Sequence, residues 1–134
     1  MALFSKLGRY QQTALLILRI GLGAMMVWHG YPKLIGGPDK WAAIGKATHV
    51  LGLHDFPSFW GFMAAVAEAV GGLCLIVGFF FRPACLLLLI TMIVAALKHL
   101  SSGPFGEATH AIELGVVFLA LFIIGPGKYS VDKG

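Results

Sequence analysis

The side chains in this sequence that could do chemistry are few, and they sit in apolar surroundings. Glu68 lies inside the run from Pro57 to Phe81, with Gly71 and Gly72 one turn further on. That run can cross a bilayer, which takes about 20 apolar residues at a rise of ~1.5 Å each. Glu68 would then sit roughly 16 Å along the helix from Pro57. A carboxylate facing lipid at that depth costs about 3 kcal/mol or more, so Glu68 must face protein, a partner charge or water. Arg19 poses the same problem in the first apolar segment. Counted from Tyr31, it lies about 18 Å deep. Two opposite charges at similar levels predict an ion pair between Arg19 and Glu68. A second group falls nearer the outer surface: His29 and Lys33, then His99, then His110 and Glu113, which share a helix face three residues apart. Arg19, His29, Lys33, Glu68, His99, His110 and Glu113 together predict a polar pocket that opens outward over a charged floor.

Such a pocket suits a small, partly apolar ligand. Histidines with an ordinary pKa of about 6.5 could exchange protons with it. The plainer alternative makes the same groups structural: an internal ion pair, with interfacial histidines at helix ends. His29, His99, His110 and Glu113 are also metal-ligand types, but no pair spaced as H-x-x-x-H supports a metal, and none is expected. Nucleophilic catalysis has no G-x-S-x-G signature here, and no P-loop or Rossmann fingerprint appears.

The elements that must position these groups are apolar helices. The chain has 134 residues, 58% hydrophobic and only 12% charged, where soluble domains carry roughly 25% charged residues. The mean hydropathy of +0.86 agrees. These values predict an integral membrane protein of one all-α domain over residues 1–134. Four spans are expected, at about 13–31, 57–81, 83–100 and 108–124, as an antiparallel four-helix bundle. Arg19, Gly23, Met26, Gly30 and Lys33 form one stripe of the first span, and its glycines invite close helix packing. Pro32 is expected to end that span, with Trp28 and Tyr31 at the headgroup level. The outer loop, 32–56, is expected to carry a short interfacial helix capped by Asp39 and running through Val50. Trp41, Ile44, Thr48 and Leu51 would lie along one side of it. Arg82-Pro83 should break spans two and three, and a short loop with Gly103, Pro104 and Gly106 should join spans three and four. Gly125-Pro126-Gly127 should stop the last span.

The net charge of +4 is spread without a basic run, so nucleic acid is not an expected partner; membrane lipid is. Lys6, Arg9, Arg82, Lys128 and Lys133 fall on the side of the termini, and Lys33, Lys40, Lys46 and Lys98 on the other. That bias points weakly to cytoplasmic termini. Cys74 and Cys85 form no C-x-x-C pair and read as small buried apolar residues. The first apolar segment is not followed by a signal-cleavage pattern and reads as a retained helix.

In order and spacing, these residues resemble the DoxX family of membrane proteins. The resemblance runs from about Leu18 to Asp132. It rests on Arg19-x-x-x-Gly23, Gly30-x-x-Lys33-Leu34, Glu68-x-x-Gly71-Gly72, Gly78-x-x-x-Arg82, then Met92, His99 and Glu113. It closes with Gly125-Pro126-Gly127-x-x-Ser130-x-Asp132. The resemblance implies a small four-helix protein of the bacterial cytoplasmic membrane. It implies a link to quinone-coupled sulfur oxidation, as a subunit of a thiosulfate:quinone oxidoreductase, or to oxidative and thiol stress complexes. On that reading the chain is a quinone- or small-molecule-binding component of an oxidoreductase, with quinone as ligand, a redox partner protein, and self-association as a further expectation. Arg19, Lys33, Glu68, Arg82, His99 and Glu113 are the charged positions it carries over. The sequence departs from the family in Ala24–Val27, where a phenylalanine-rich stretch is common. Two other readings stay open: a small-molecule carrier, and a non-catalytic scaffold for a redox partner.

Overall fold

The computed structural model describes residues 4–52, 55–103 and 105–132. Pro104 and Lys133, named above, lie outside them. Among the described residues all regular structure is helical: α1 (Gln11–Ile35), α2 (Pro38–Gly45), α3 (Pro57–Val77), α4 (Phe81–Ser102) and α5 (Phe105–Ile124). Short 3-10 turns precede α1 (Ser5–Tyr10) and follow α2 (Lys46–Leu51). The helical segments Ser5–Ile35, Pro57–Val77 and Phe81–Ser101 are long and apolar enough to cross a membrane, and Ala108–Ile124 is a shorter apolar helix.

The buried face of α1 is Arg19, Gly23, Met26 and Gly30, the stripe legible in the sequence. It packs on α3, whose buried face is rich in alanine and glycine. The contact is backbone to backbone. A methyl group on Gly23 would lie 2.5 Å from the Gly72 carbonyl oxygen, and one on Gly30 would lie 2.5 Å from the Ala69 nitrogen. These contacts set the register: Gly23 opposes Gly72, and Gly30 opposes Glu68 and Ala69. α4 packs on α5 through Phe81, Cys85, Leu88, Met92, Phe118 and Leu121, all buried. The two pairs meet through a thinner contact between α3 and α4, and α1 and α5 meet only through side chains, without close approach of their backbones.

Three boundaries differ from expectation. Pro32 does not end α1, which runs on to Ile35. A proline in the last turn forfeits one N–H bond, to the Trp28 carbonyl, and the rest of the turn can form around it. Asp39 does not cap α2: it sits in the first turn, Gly37 holds the cap position, and the α-helix gives way to a 3-10 turn at Lys46. α3 stops at Val77 rather than Phe81. Gly78 takes a left-handed φ of 74°, and the N–H groups of Gly78 and Phe79 both donate to the Cys74 carbonyl. Arg82 and Pro83 therefore fall inside the first turn of α4 instead of forming the break.

Candidate functional site

The register of α1 on α3 decides which charges meet. Glu68 is buried, and its partner is Lys33. The Lys33 ammonium lies 2.9 Å from Glu68 Oε1 and 2.9 Å from Oε2, so it holds both carboxylate oxygens. Lys33 reaches Glu68 because α1 continues past Pro32 and keeps Lys33 on the stripe one turn beyond Gly30. Trp41 of α2 donates its indole N–H to the Lys33 carbonyl at 2.8 Å, which ties α2 to the last turn of α1.

The expected ion pair between Arg19 and Glu68 does not form. Arg19 is fully buried and spends its guanidinium on main-chain carbonyls. Nε donates to Leu75 at 3.0 Å, Nη2 to Ile76 at 3.0 Å, and Nη1 to Pro126 at 3.1 Å and Tyr129 at 2.8 Å. The depth count failed because it took Tyr31 as the end of the first helix. Measured from Ile35, Arg19 is about 24 Å along, against ~16 Å for Glu68 from Pro57. Arg19 thus lies level with the end of α3.

There it completes a clasp. The last four carbonyls of a helix have no partner within it. In α3, Cys74 accepts from Gly78 and Phe79, Leu75 and Ile76 accept from Arg19, and Val77 accepts from Val131 at 3.1 Å. The segment Gly125–Asp132 supplies the rest. The Asp132 carboxylate accepts from the N–H groups of Phe80 (3.2 Å) and Phe81 (2.8 Å), capping the start of α4. The Asp132 N–H donates to the Gly78 carbonyl at 2.8 Å, and Arg82 Nε to the Phe122 carbonyl at 3.1 Å. The Gly-Pro-Gly and Ser-x-Asp signals after the last span are thus parts of a helix-end lock.

At the other end of α3 the polar groups border open space. A cavity of about 470 Å³ lies between α3 and α4 under the Lys46–Leu51 turn. Its walls are largely apolar, including Ile44, Leu51, Trp60, Met63, Leu87 and Ile90, with Thr48 and Thr91 among them. Its ionisable lining residues are Lys33, Glu68, Lys98 and His99. A second cavity of about 200 Å³ lies where α1 and α5 stand apart, lined by Met26, His29, Lys33, Glu68, Met92, Ala95, His99, His110, Ala111 and Leu114. Lys33, Glu68, Ala95 and His99 line both and form the partition. His29 and His110 approach edge to face across the smaller one, ring centroids 6.4 Å apart at 65°.

Of the sequence-predicted residues, the structure gathers His29, Lys33, Glu68, His99 and His110 here. Arg19 is two turns of α3 away, in the clasp. Glu113 is exposed and lines neither cavity. Among the described residues, no group of three or more His, Cys, Asp and Glu side chains is arranged to hold a metal ion. Sequence reasoning missed Lys98 and Trp60 as cavity walls. The stripe Ile44, Thr48 and Leu51 was the available signal for the roof, and all three line the larger cavity.

Helices of membrane-spanning length and composition, with an ion pair buried between two of them beside a largely apolar cavity, are the features of a membrane protein. The DoxX family profile matches residues 14–100, well over half of the chain, and the chain belongs to that family. It is similar to the inner membrane protein YphA of Escherichia coli (strain K12), 27% identical over 136 residues that cover 94% of this chain and 93% of that protein. No solved structure matches it.

Proposed function

We propose that this chain is a multi-pass protein of the bacterial inner membrane that binds a lipid-soluble small molecule, with a quinone as the leading class, as the ligand-binding component of a membrane redox or thiol-stress system. The observation that carries the reading is the larger cavity, largely apolar, with Lys33, Glu68, Lys98 and His99 among its lining. Its volume of about 470 Å³ is ordinary for a ligand site, typically 300–1,000 Å³. A quinone fits this donor set: its ring and tail suit Trp60, Met63 and Ile90, and its carbonyl oxygens suit N–H donors. An ammonium has three N–H groups, and Glu68 engages two bonds from Lys33, which leaves one to turn toward a ligand. A bound quinone would supply two-electron, two-proton redox chemistry. The chain's own part is to hold the ring against the Lys33–Glu68 pair, exclude water along the apolar walls and offer His99 for proton exchange.

Several half-exposed walls, Phe59, Met63, Leu87 and Ile90, face outward between α3 and α4, where a membrane ligand would enter sideways. In this reading the four long helices cross the membrane as an antiparallel bundle with cytoplasmic termini, within one domain over residues 1–134. α2 lies at the outer interface. Electrons come from a redox partner protein, because Cys74 and Cys85 are free thiols that line neither cavity. The carrier reading is disfavoured by the clasp, which closes the far end of the bundle with hydrogen bonds from Arg19 and Asp132. The test is binding of decylubiquinone to the reconstituted protein. Saturable binding that weakens in Glu68→Gln and His99→Leu supports the proposal, and no saturable binding, or binding unchanged in both variants, rejects it.

A further inference from the structure

The two cavities differ in a way the ligand reading does not use. Half of the smaller cavity's ten lining residues are ionisable: His29 and Lys33 from α1, Glu68 from α3, His99 from α4 and His110 from α5. In the larger cavity only Lys33, Glu68, Lys98 and His99 are ionisable, against a long apolar wall. The smaller cavity is the more polar of the two, and at about 200 Å³ it has room for several waters, with polar partners for them. His29 and His110 are also exposed, so their rings touch the surroundings and the cavity together. The two rings meet edge to face, centroids 6.4 Å apart, so the histidines of α1 and α5 are neighbours at this cavity.

We propose that the smaller cavity is the aqueous branch of the site, a proton path running from the membrane surface through His29 and His110 to His99 and the Lys33–Glu68 pair. Imidazole is the side chain suited to this role, because each ring can take a proton on one nitrogen and release one from the other near neutral pH. His99 is the junction, since it borders both the wet branch and the dry one. Glu113, one turn along α5 from His110, faces outward and is the other titratable group near the mouth. The delivery of protons to a bound quinone rests on the function proposed above; the aqueous access of His99 does not.

Two measurements separate these. In proteoliposomes, hydrogen–deuterium exchange at the His99 ring C2 position, read by mass spectrometry, should proceed at a measurable rate in the wild-type protein. It should slow severalfold when the branch is plugged by Leu114→Trp. His110→Phe is a second plug at an exposed position, should the first fail to fold. An exchange rate at His99 unchanged in the folded plugged variants overturns the proposal, whatever the ligand. The second measurement follows proton uptake when decylubiquinone bound to the protein is reduced at an electrode, two electrons and two protons giving the quinol. His29→Gln with His110→Gln should slow the uptake and flatten its rise toward low pH, and added imidazole should restore the rate in His110→Ala. Uptake unaffected by the paired substitution overturns the relay. Failure of decylubiquinone to bind rejects the quinone reading and leaves the exchange experiment to decide the branch.

Discussion

The two ends of α3 use charge in opposite ways. At its C-terminal end, Arg19 and Asp132 are consumed by main-chain groups: every terminal carbonyl of α3 has a donor, and the first N–H groups of α4 have a carboxylate. That end is closed. Seven residues earlier, Glu68 meets Lys33 side chain to side chain, and both border space. Buried charges in a membrane protein can be sorted on this basis. A charge whose partners are backbone groups at helix ends is completing hydrogen bonds that lipid cannot supply. A charge paired with another charge beside a cavity keeps bonding capacity for something else.

The largest effect should come from breaking the closed end. Arg19→Leu would strip donors from four carbonyls and should cost about 3 kcal/mol or more, at 1.5–3 kcal/mol for each bond to a charged donor and with partial relaxation. The expected outcome is poor accumulation in membranes and early thermal unfolding in detergent. Arg19→Lys should recover only part, since an ammonium has three donors and no planar fork. Near-normal unfolding of Arg19→Leu would erase the contrast between the two ends.

Next in size is the ion pair. Glu68→Leu or Lys33→Leu alone should cost about 1–3 kcal/mol, below the range for a fully buried pair because the Lys33 side chain is 31% exposed. The double substitution should cost less than the sum, which a double-mutant cycle on thermal unfolding measures. Additive losses would mean that the pair carries no coupling. Asp132→Ala removes the cap of α4 and should cost about 0.5–2 kcal/mol, again read by thermal unfolding, with decylubiquinone affinity unchanged. A fall in affinity at unchanged stability would join the two ends functionally. The smallest effect on stability belongs to the topology test. In a Cys74→Ala, Cys85→Ala background, Lys46→Cys should label from outside and Lys128→Cys from inside; labelling of both from one side would rule out four spans.

Much of this division was legible in the sequence. The stripe Arg19, Gly23, Met26, Gly30 is the buried face of α1, because helical spacing and small residues leave little choice of face. The family resemblance was legible as well, and residues 14–100 match the family profile. The partners of the charges were not legible. Whether Pro32 ends a helix or sits in its last turn differs by four residues, about 6 Å along the axis. That is only part of the roughly 12 Å by which Arg19 lies beyond Glu68 in the observed register, with Gly23 against Gly72; the rest is the offset between the ends of α1 and α3, which counting within each helix does not reveal. The clasp was hidden for another reason: its acceptors are main-chain carbonyls of Leu75, Ile76, Pro126 and Tyr129, and no side-chain pattern marks them.

Ligand binding at the Lys33–Glu68–His99 end is the proposal on which the others depend. It is tested most directly by native mass spectrometry of the protein released from its own membranes, beside Thr91→Trp, which fills the larger cavity from α4. The wild-type protein should carry a small lipid-soluble molecule, and Thr91→Trp should lose it while unfolding at a similar temperature. A wild-type protein that emerges without any bound small molecule, or a folded Thr91→Trp variant that keeps the same one, would contradict the claim.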